Sequence, residues 1–144
     1  MSDNPSETLQ VVWRGGSRFD IRTRHHTVRV DQPPDFCGTD TGPTPCELLV
    51  GSLAACAAHA AERYLHRCEL LADVTVTARY ETGVQPARVS RIALTVEAPG
   101  LPEGLRESFT RVIEHCAVYN SLRIPPEITF QVLVVDHDHA LHGV

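Results

Sequence analysis

From Leu48 to Ala61 the chain is almost entirely small or apolar, interrupted only by Ser52 and His59, and it carries Cys56 near its middle. Thr44 offers a side-chain acceptor for an N-cap and Pro45 suits the first helical position, so the spacing predicts a helix that starts there and runs to about Arg67. Such a helix has little polar surface and needs burial on most sides. The apolar stretch is too short and too Ala-rich to span a bilayer, and no membrane span is expected. A chain of 144 residues is about one domain and can bury a core, but it has little material with which to surround this helix. That favours a homodimer in which the helices pack together. Gly51, Ser52, Ala54, Ala55, Ala57 and Ala58 allow close approach, which places the Cys56 thiol at a buried or half-buried junction.

The remaining sequence supplies strands and one further helix. Leu9 to Trp13 and Phe19 to Arg22 alternate around Gly15-Gly16 and read as a hairpin, with a third strand at about His26 to Val30. Asp31 to Pro45, with its prolines and glycines, reads as a long loop of functional length. Asp73 to Thr82 and Arg88 to Ala98 alternate through Val74, Val76, Ala78, Tyr80 and Val89, Ile92, Leu94, Val96, forming a second hairpin joined by Gly83-Val84-Gln85-Pro86. Leu105, Phe109, Val112, Ile113 and Cys116 recur at helical spacing, so a second helix from Pro102 is expected to deliver Cys116 at its C-terminal end. Tyr119 to Arg123 suits a short helical turn stopped by Pro125-Pro126, and Ile128 to Val135 a final strand. The order βββ-α-ββ-α-β makes the fold class α+β. A single domain over 1–144 is expected, with flexible tails at 1–7 and 137–144.

Charge and cysteine usage narrow the function classes. The net charge is −5, all thirteen basic residues are Arg, and none forms a run, which argues against nucleic-acid binding. Met1 to Glu7 is polar and acidic, the wrong chemistry for a secretory signal, and points to the cytoplasm. Five cysteines, at 37, 46, 56, 68 and 116, are odd in number and lack framework spacing, so they read as free thiols, redox sites or metal ligands. Cys37 and Cys68 carry no motif. His25-His26 and the tail Asp136-His137-Asp138-His139 have the look of metal ligands, yet the tail follows the last strand and reads as solvated, and neither is assigned a metal. A soft-metal site from Cys56, His59, His115 and Cys116 is the metal alternative. Adjacent helical residues diverge by 100°, so His115 and Cys116 share one ion with difficulty, and no metal is assigned.

Two segments carry a resemblance. Gly42-Pro43-Thr44-Pro45-Cys46-Glu47-Leu48-Leu49-Val50-Gly51-Ser52-Leu53-Ala54-Ala55-Cys56, followed sixty residues later by Cys116-Ala117-Val118-Tyr119-Asn120-Ser121-Leu122, resembles the OsmC/Ohr family, the osmotically inducible protein C and organic hydroperoxide resistance proteins. The resemblance covers nearly the whole chain. It implies an intertwined homodimer with the cysteine helices at its centre, and a thiol peroxidase that prefers organic hydroperoxides to hydrogen peroxide. Cys56 would then be the nucleophile that becomes a sulfenic acid, and Cys116 the residue that resolves it as a disulfide. No bound cofactor is implied. An external dithiol, lipoylated in the best-known branch, would return the protein to its reduced state.

Physical chemistry sets a condition on that reading, because the thiolate reacts and a free cysteine with pKa ~8.5 is mostly protonated at neutral pH. Cys56 lies roughly three turns into its helix, where the dipole has faded, so a cation from another element is needed. The family places an Arg after a Gly-Gly; Gly15-Gly16-Ser17-Arg18 fits with a one-residue shift, making Arg18 the first candidate and Arg14 or Arg22 the alternatives. Arg63 shares nearly the face of Cys56 but lies about 10 Å along the axis. Family peroxidases carry a carboxylate ten residues before the nucleophile; here that position is Cys46. Glu47, nine residues before Cys56, falls on the opposite side of the helix. Cys46 sits in the first helical turn, where the dipole favours a thiolate, and is a candidate second reactive thiol. Ala117 replaces the Pro that often follows the second cysteine in the family. These departures point to a general OsmC-like branch, and they keep a non-enzymatic binding or redox-sensing protein as the alternative. Leu49, Leu53 and Phe36 are among the expected lining of an apolar pocket built from both chains of the dimer.

Overall fold

The structure, a computed structural model, describes residues 7–136. The N-terminal hairpin and third strand form one antiparallel sheet, β1 (Gln10–Trp13), β2 (Phe19–Thr23) and β3 (His26–Val30) in that order. Asp20 faces Arg29 across the β2–β3 ladder, and its buried carboxylate binds both Arg29 (3.2 Å) and Arg14 (3.4 Å). The opposite face carries Val11, Phe19, Ile21 and Val30, which line an apolar groove with Pro45 and Leu48 at the start of the long helix.

That helix, α1 (Pro45–Arg67), has the bounds its sequence predicts. Thr44 Oγ1 accepts from the Glu47 N–H (3.1 Å), and Glu47 Oε1 accepts from the Thr44 N–H (3.0 Å), a reciprocal capping box that fixes the start. Val50, Leu53, Ala57, Ala60, Ala61, Tyr64 and Leu65 are its buried face. Gly51, Ser52, Ala55 and His59 are exposed, so within one chain a flank of small residues lies open. The buried face packs on the second hairpin, β4 (Thr75–Val84) and β5 (Ala87–Glu97), whose register sets Val76 opposite Val96, Ala78 opposite Leu94 and Tyr80 opposite Ile92. The inward alternation is the one read from the sequence.

The second helical region is shorter than its periodicity implies. A 3-10 turn (Glu103–Leu105) leads into α2 (Arg106–Ile113), and after a break at Glu114 and His115 a separate helix, α3 (Ala117–Arg123), begins. Cys116 is therefore the N-cap residue of α3 and not the C-terminal end of α2, which corrects the expected placement. The amphipathic spacing continues through Cys116 because both helices press on α1; periodicity records the shared core and not the break. Leu65 and Ala61 are fully buried with Phe109, and Tyr64 meets the Phe109 ring edge-on at 5.4 Å while its hydroxyl bonds to Ser108.

The loop after β3 is built around one carboxylate. Asp31 is fully buried and accepts from the Gln32 N–H (2.7 Å), the Thr39 hydroxyl (2.8 Å), and the Thr41 N–H (3.0 Å) and hydroxyl (2.7 Å). The Thr41 hydroxyl and N–H chiefly hold its carboxyl well below the usual carboxylate range. Gly38 and Gly42 permit the fold of this loop, since a Cβ on Gly38 would sit 1.7 Å from the Gln32 carbonyl oxygen and one on Gly42 2.5 Å from that of Arg29.

The expected strand at Ile128 to Val135 has no ladder among the described residues. Its alternation is real, but a strand needs an edge to pair with, and here Phe130, Val132 and Val134 are 92%, 86% and 96% exposed. The tail histidines His137 and His139 lie outside the described residues.

Candidate functional site

α1 and the α2–α3 junction bring the two motif cysteines together. Cys56, half-buried on α1, and Cys116, buried at the α3 N-cap, share an apolar cluster with Leu53, Ala60, Ile92, Leu94 and Tyr119. Both are free thiols. Burial pushes the Cys116 thiol above its ordinary range, and the neighbouring Cys56 adds to that effect, while the Tyr119 N–H pulls the other way. Burial thus disfavours the Cys116 thiolate, so an attack by Cys116 on an oxidised sulfur has to pass its proton on as the S–S bond forms.

A cavity of about 550 Å³ opens beside Cys116, with Leu53, Leu94, Phe109, Ile113 and Tyr119 also among its walls together with the polar Glu103, Arg106 and Glu114; Cys56 is not one of its lining residues. Leu53 lines it as expected. Within one chain Leu49 and Phe36 do not; Phe36 stands 71% exposed in the 3-10 turn Pro34–Phe36. The contribution of α2 was hidden in the sequence, although Phe109 and Ile113, four residues apart, mark the face that supplies it.

The remaining candidates sit elsewhere. Arg18, half-buried on the β1–β2 turn, folds back on that turn: its N–H donates to the Gly15 carbonyl (3.0 Å), and Nε points at the same oxygen (3.4 Å). No hydrogen bond or ion pair joins it to α1 among the described residues. Arg14 is engaged with Asp20, and Arg22 is exposed on β2. Glu47 serves the capping box, and Cys46 is exposed in the first turn of α1. Cys37 and Cys68 are exposed, Cys37 at a left-handed position closing the 3-10 turn and Cys68 at the C-cap of α1. Among the described residues, no group of three or more His, Cys, Asp or Glu side chains is arranged to hold a metal, so His59 and His115 do not complete a site with the two thiols.

The family model described as OsmC-like protein matches residues 38–131, which hold both cysteines and the whole of α1 to α3. The chain belongs to the OsmC-like family. Solved structures agree on the fold. A protein from Psychrobacter arcticus, named for osmotic stress induction and a detoxification response, is 24% identical with a TM-score of 0.71, over 84% of this chain and 91% of that one. An organic hydroperoxide resistance protein OsmC from Legionella pneumophila is 20% identical, with a TM-score of 0.64 over 83% and 92% of the two chains. The OsmC like protein of Mycoplasma pneumoniae is 19% identical, with a TM-score of 0.69 over 84% and 89%. No curated protein matches the chain. The OsmC-like α+β fold is established on these grounds, and no helix among the described residues is long and apolar enough to cross a membrane.

Proposed function

We propose that this OsmC-like protein is a thiol-dependent peroxidase for organic hydroperoxides, acting in oxidative-stress defence in the cytoplasm. The observation that carries the reading is the meeting of Cys56 and Cys116 in one apolar cluster, with Cys116 on the wall of a cavity that Leu53, Leu94, Phe109 and Ile113 also line. The Cys56 thiolate attacks the distal oxygen of ROOH; the O–O bond breaks, Cys56 becomes a sulfenic acid, and the alkoxide takes a proton to leave as ROH. The Cys116 thiol then attacks the sulfenic sulfur, water departs, and a Cys56–Cys116 disulfide remains. An external dithiol, lipoylated or otherwise, supplies two electrons and two protons to restore both thiols. No bound cofactor takes part. The apolar part of the cavity wall, Leu53, Leu94, Phe109 and Ile113, favours alkyl or lipid chains over hydrogen peroxide, which gains nothing from it.

The working form is a homodimer. The open flank of α1 and the exposed apolar residues of 128–135 are surfaces that a second copy would cover. Because Arg18 engages its own turn within one chain, its proposed role as activator of Cys56 calls for assembly to bring it alongside. Cys46 and Glu47 are secondary candidates for the site, Cys46 as a second reactive thiol.

A second reading rests on the same placement of Arg18. Without a cation beside Cys56, the cavity serves as a binding pocket and the cysteine pair as a slow redox sensor. Steady-state reduction of cumene hydroperoxide with a dithiol reductant separates the two. Fast turnover abolished by Cys56→Ser supports the peroxidase; oxidation of Cys56 without turnover favours the sensor.

A further inference from the structure

Cys56, Ala60, Arg63 and Arg67 follow one another at spacings of four, three and four, and so run as one stripe along α1. Beyond Ala60 the stripe borders a groove of about 640 Å³, walled by Arg63, Arg67, Ser108, Arg111 and His115 and bordered also by Cys116. No carboxylate lines it. Arg111 donates to Glu107 at 3.2 Å in an exposed pair, while Arg63 and Arg67 form no ion pair among the described residues. Three guanidinium groups and an imidazole thus gather in one recess of a chain whose net charge is −5. Their mutual repulsion is relieved by an anion, and the planar fork of Arg matches a carboxylate.

Cys116 borders both this groove and the cavity of about 550 Å³, so it faces two recesses that differ in charge: Glu103 and Glu114 line the cavity, whereas no carboxylate lines the groove. The carboxylates of the cavity would repel a second anion, and the groove would not. We infer that the cationic groove is the docking site of the thiol that re-reduces the protein, and that it selects a small dithiol carrying a carboxylate. The inference rests on the peroxidase reading for the disulfide on which it acts. With its carboxylate on Arg63 and Arg67, the dithiol presents a thiolate to Cys116 Sγ. A bond forms between the two sulfurs, the Cys56–Cys116 bond breaks, and Cys56 leaves as a thiolate. The second thiol of the reductant then displaces Cys116, which takes a proton, and the reductant departs as a cyclic disulfide. The elevated Cys116 thiol is a poor leaving group, so exchange is most productive when Cys116 is the sulfur attacked.

The test uses full-length protein whose Cys56–Cys116 disulfide has been made with diamide, so that it does not depend on the hydroperoxide step. Reduction rates are measured with dihydrolipoate and with its neutral amide, dihydrolipoamide, for wild type and for the double variant Arg63→Gln/Arg67→Gln. The expected result is a preference of roughly three- to tenfold for the carboxylate in wild type at low salt, lost in the double variant and eroded by added NaCl, with the amide rate unchanged throughout. Equal rates for the two thiols in wild type, or a preference that survives the double variant, would overturn the inference. Failure of a hydroperoxide to form the disulfide, with the charge preference intact on the diamide-made form, would sink the peroxidase reading and leave the groove standing.

Discussion

Oxidation by one equivalent of cumene hydroperoxide should tie Cys56 to Cys116 and thereby stabilise the fold. The bond would close a loop of sixty residues, and cross-linking a loop of that length removes unfolded-chain entropy worth about 4 kcal/mol at 25 °C. Native strain subtracts from this figure, but the two thiols already share one packed cluster, and Cys116 occupies a non-helical N-cap. At this chain length each kcal/mol moves the thermal midpoint by ~2–4 °C, so Tm should rise by roughly 10 °C. The assay is thermal unfolding followed by circular dichroism at fixed protein concentration, with intact-mass analysis to verify the loss of two hydrogens. Cys116→Ser serves as the control that forms no such bond and gains nothing. Dithiothreitol should return the oxidised wild type to its starting midpoint. A protein shown by mass to carry the Cys56–Cys116 bond, yet with an unchanged or lower Tm, would refute the argument that the fold holds the two sulfurs ready to join.

Other outcomes follow from single contacts. Leu65→Ala empties the fully buried centre of the α1–α2 core and should cost about 2–5 kcal/mol in urea unfolding, whereas a loss below 1 kcal/mol would mean the site collapses to fill the void. Thr44→Ala removes half of the capping box and should cost about 1 kcal/mol, with activity kept. Asp31 has a folded pKa below its unfolded value of about 3.9, so its stabilising effect is full above that value and is lost as pH falls through the lower folded value. Asp31→Asn should therefore lower Tm at pH 7 and flatten the acid limb of the stability profile; an unchanged acid limb would contradict this. In a Cys56→Ser background, alkylation of Cys116 should accelerate only above the pH range of an ordinary thiol, since burial favours its neutral form.

The legible parts of the fold were those fixed by local chemistry. Thr44, Pro45 and Glu47 announce the start of α1, and the alternation of Val76, Ala78, Leu94 and Val96 fixes which face of the second hairpin turns inward. The meeting of Cys56 and Cys116 was legible only through the resemblance, because sixty residues of chain carry no periodic signal of a contact. Three features escaped for physical reasons. The break between α2 and α3 was masked because both helices share one core. The role of Asp31 depends on hydroxyls and amides eight and ten residues away, which no short motif encodes. The strand at Ile128 to Val135 satisfies every local rule and still lacks a ladder, because pairing is a property of the edge it meets.

That segment also bears on how the chain behaves before it finds cover. Phe130-Gln131-Val132-Leu133-Val134-Val135 is six residues without charge, Pro or Gly, the composition of a sequence that stacks on its own copies. Pro125, Pro126 and Glu127 precede it, and Asp136 follows. Prolines deny a growing ladder its donors, and like charges brought into register repel, so the hazard is bounded on both sides by gatekeepers. Removing the charge at Glu127 or Asp136 should leave catalysis alone and shorten the time an overproduced chain stays in solution.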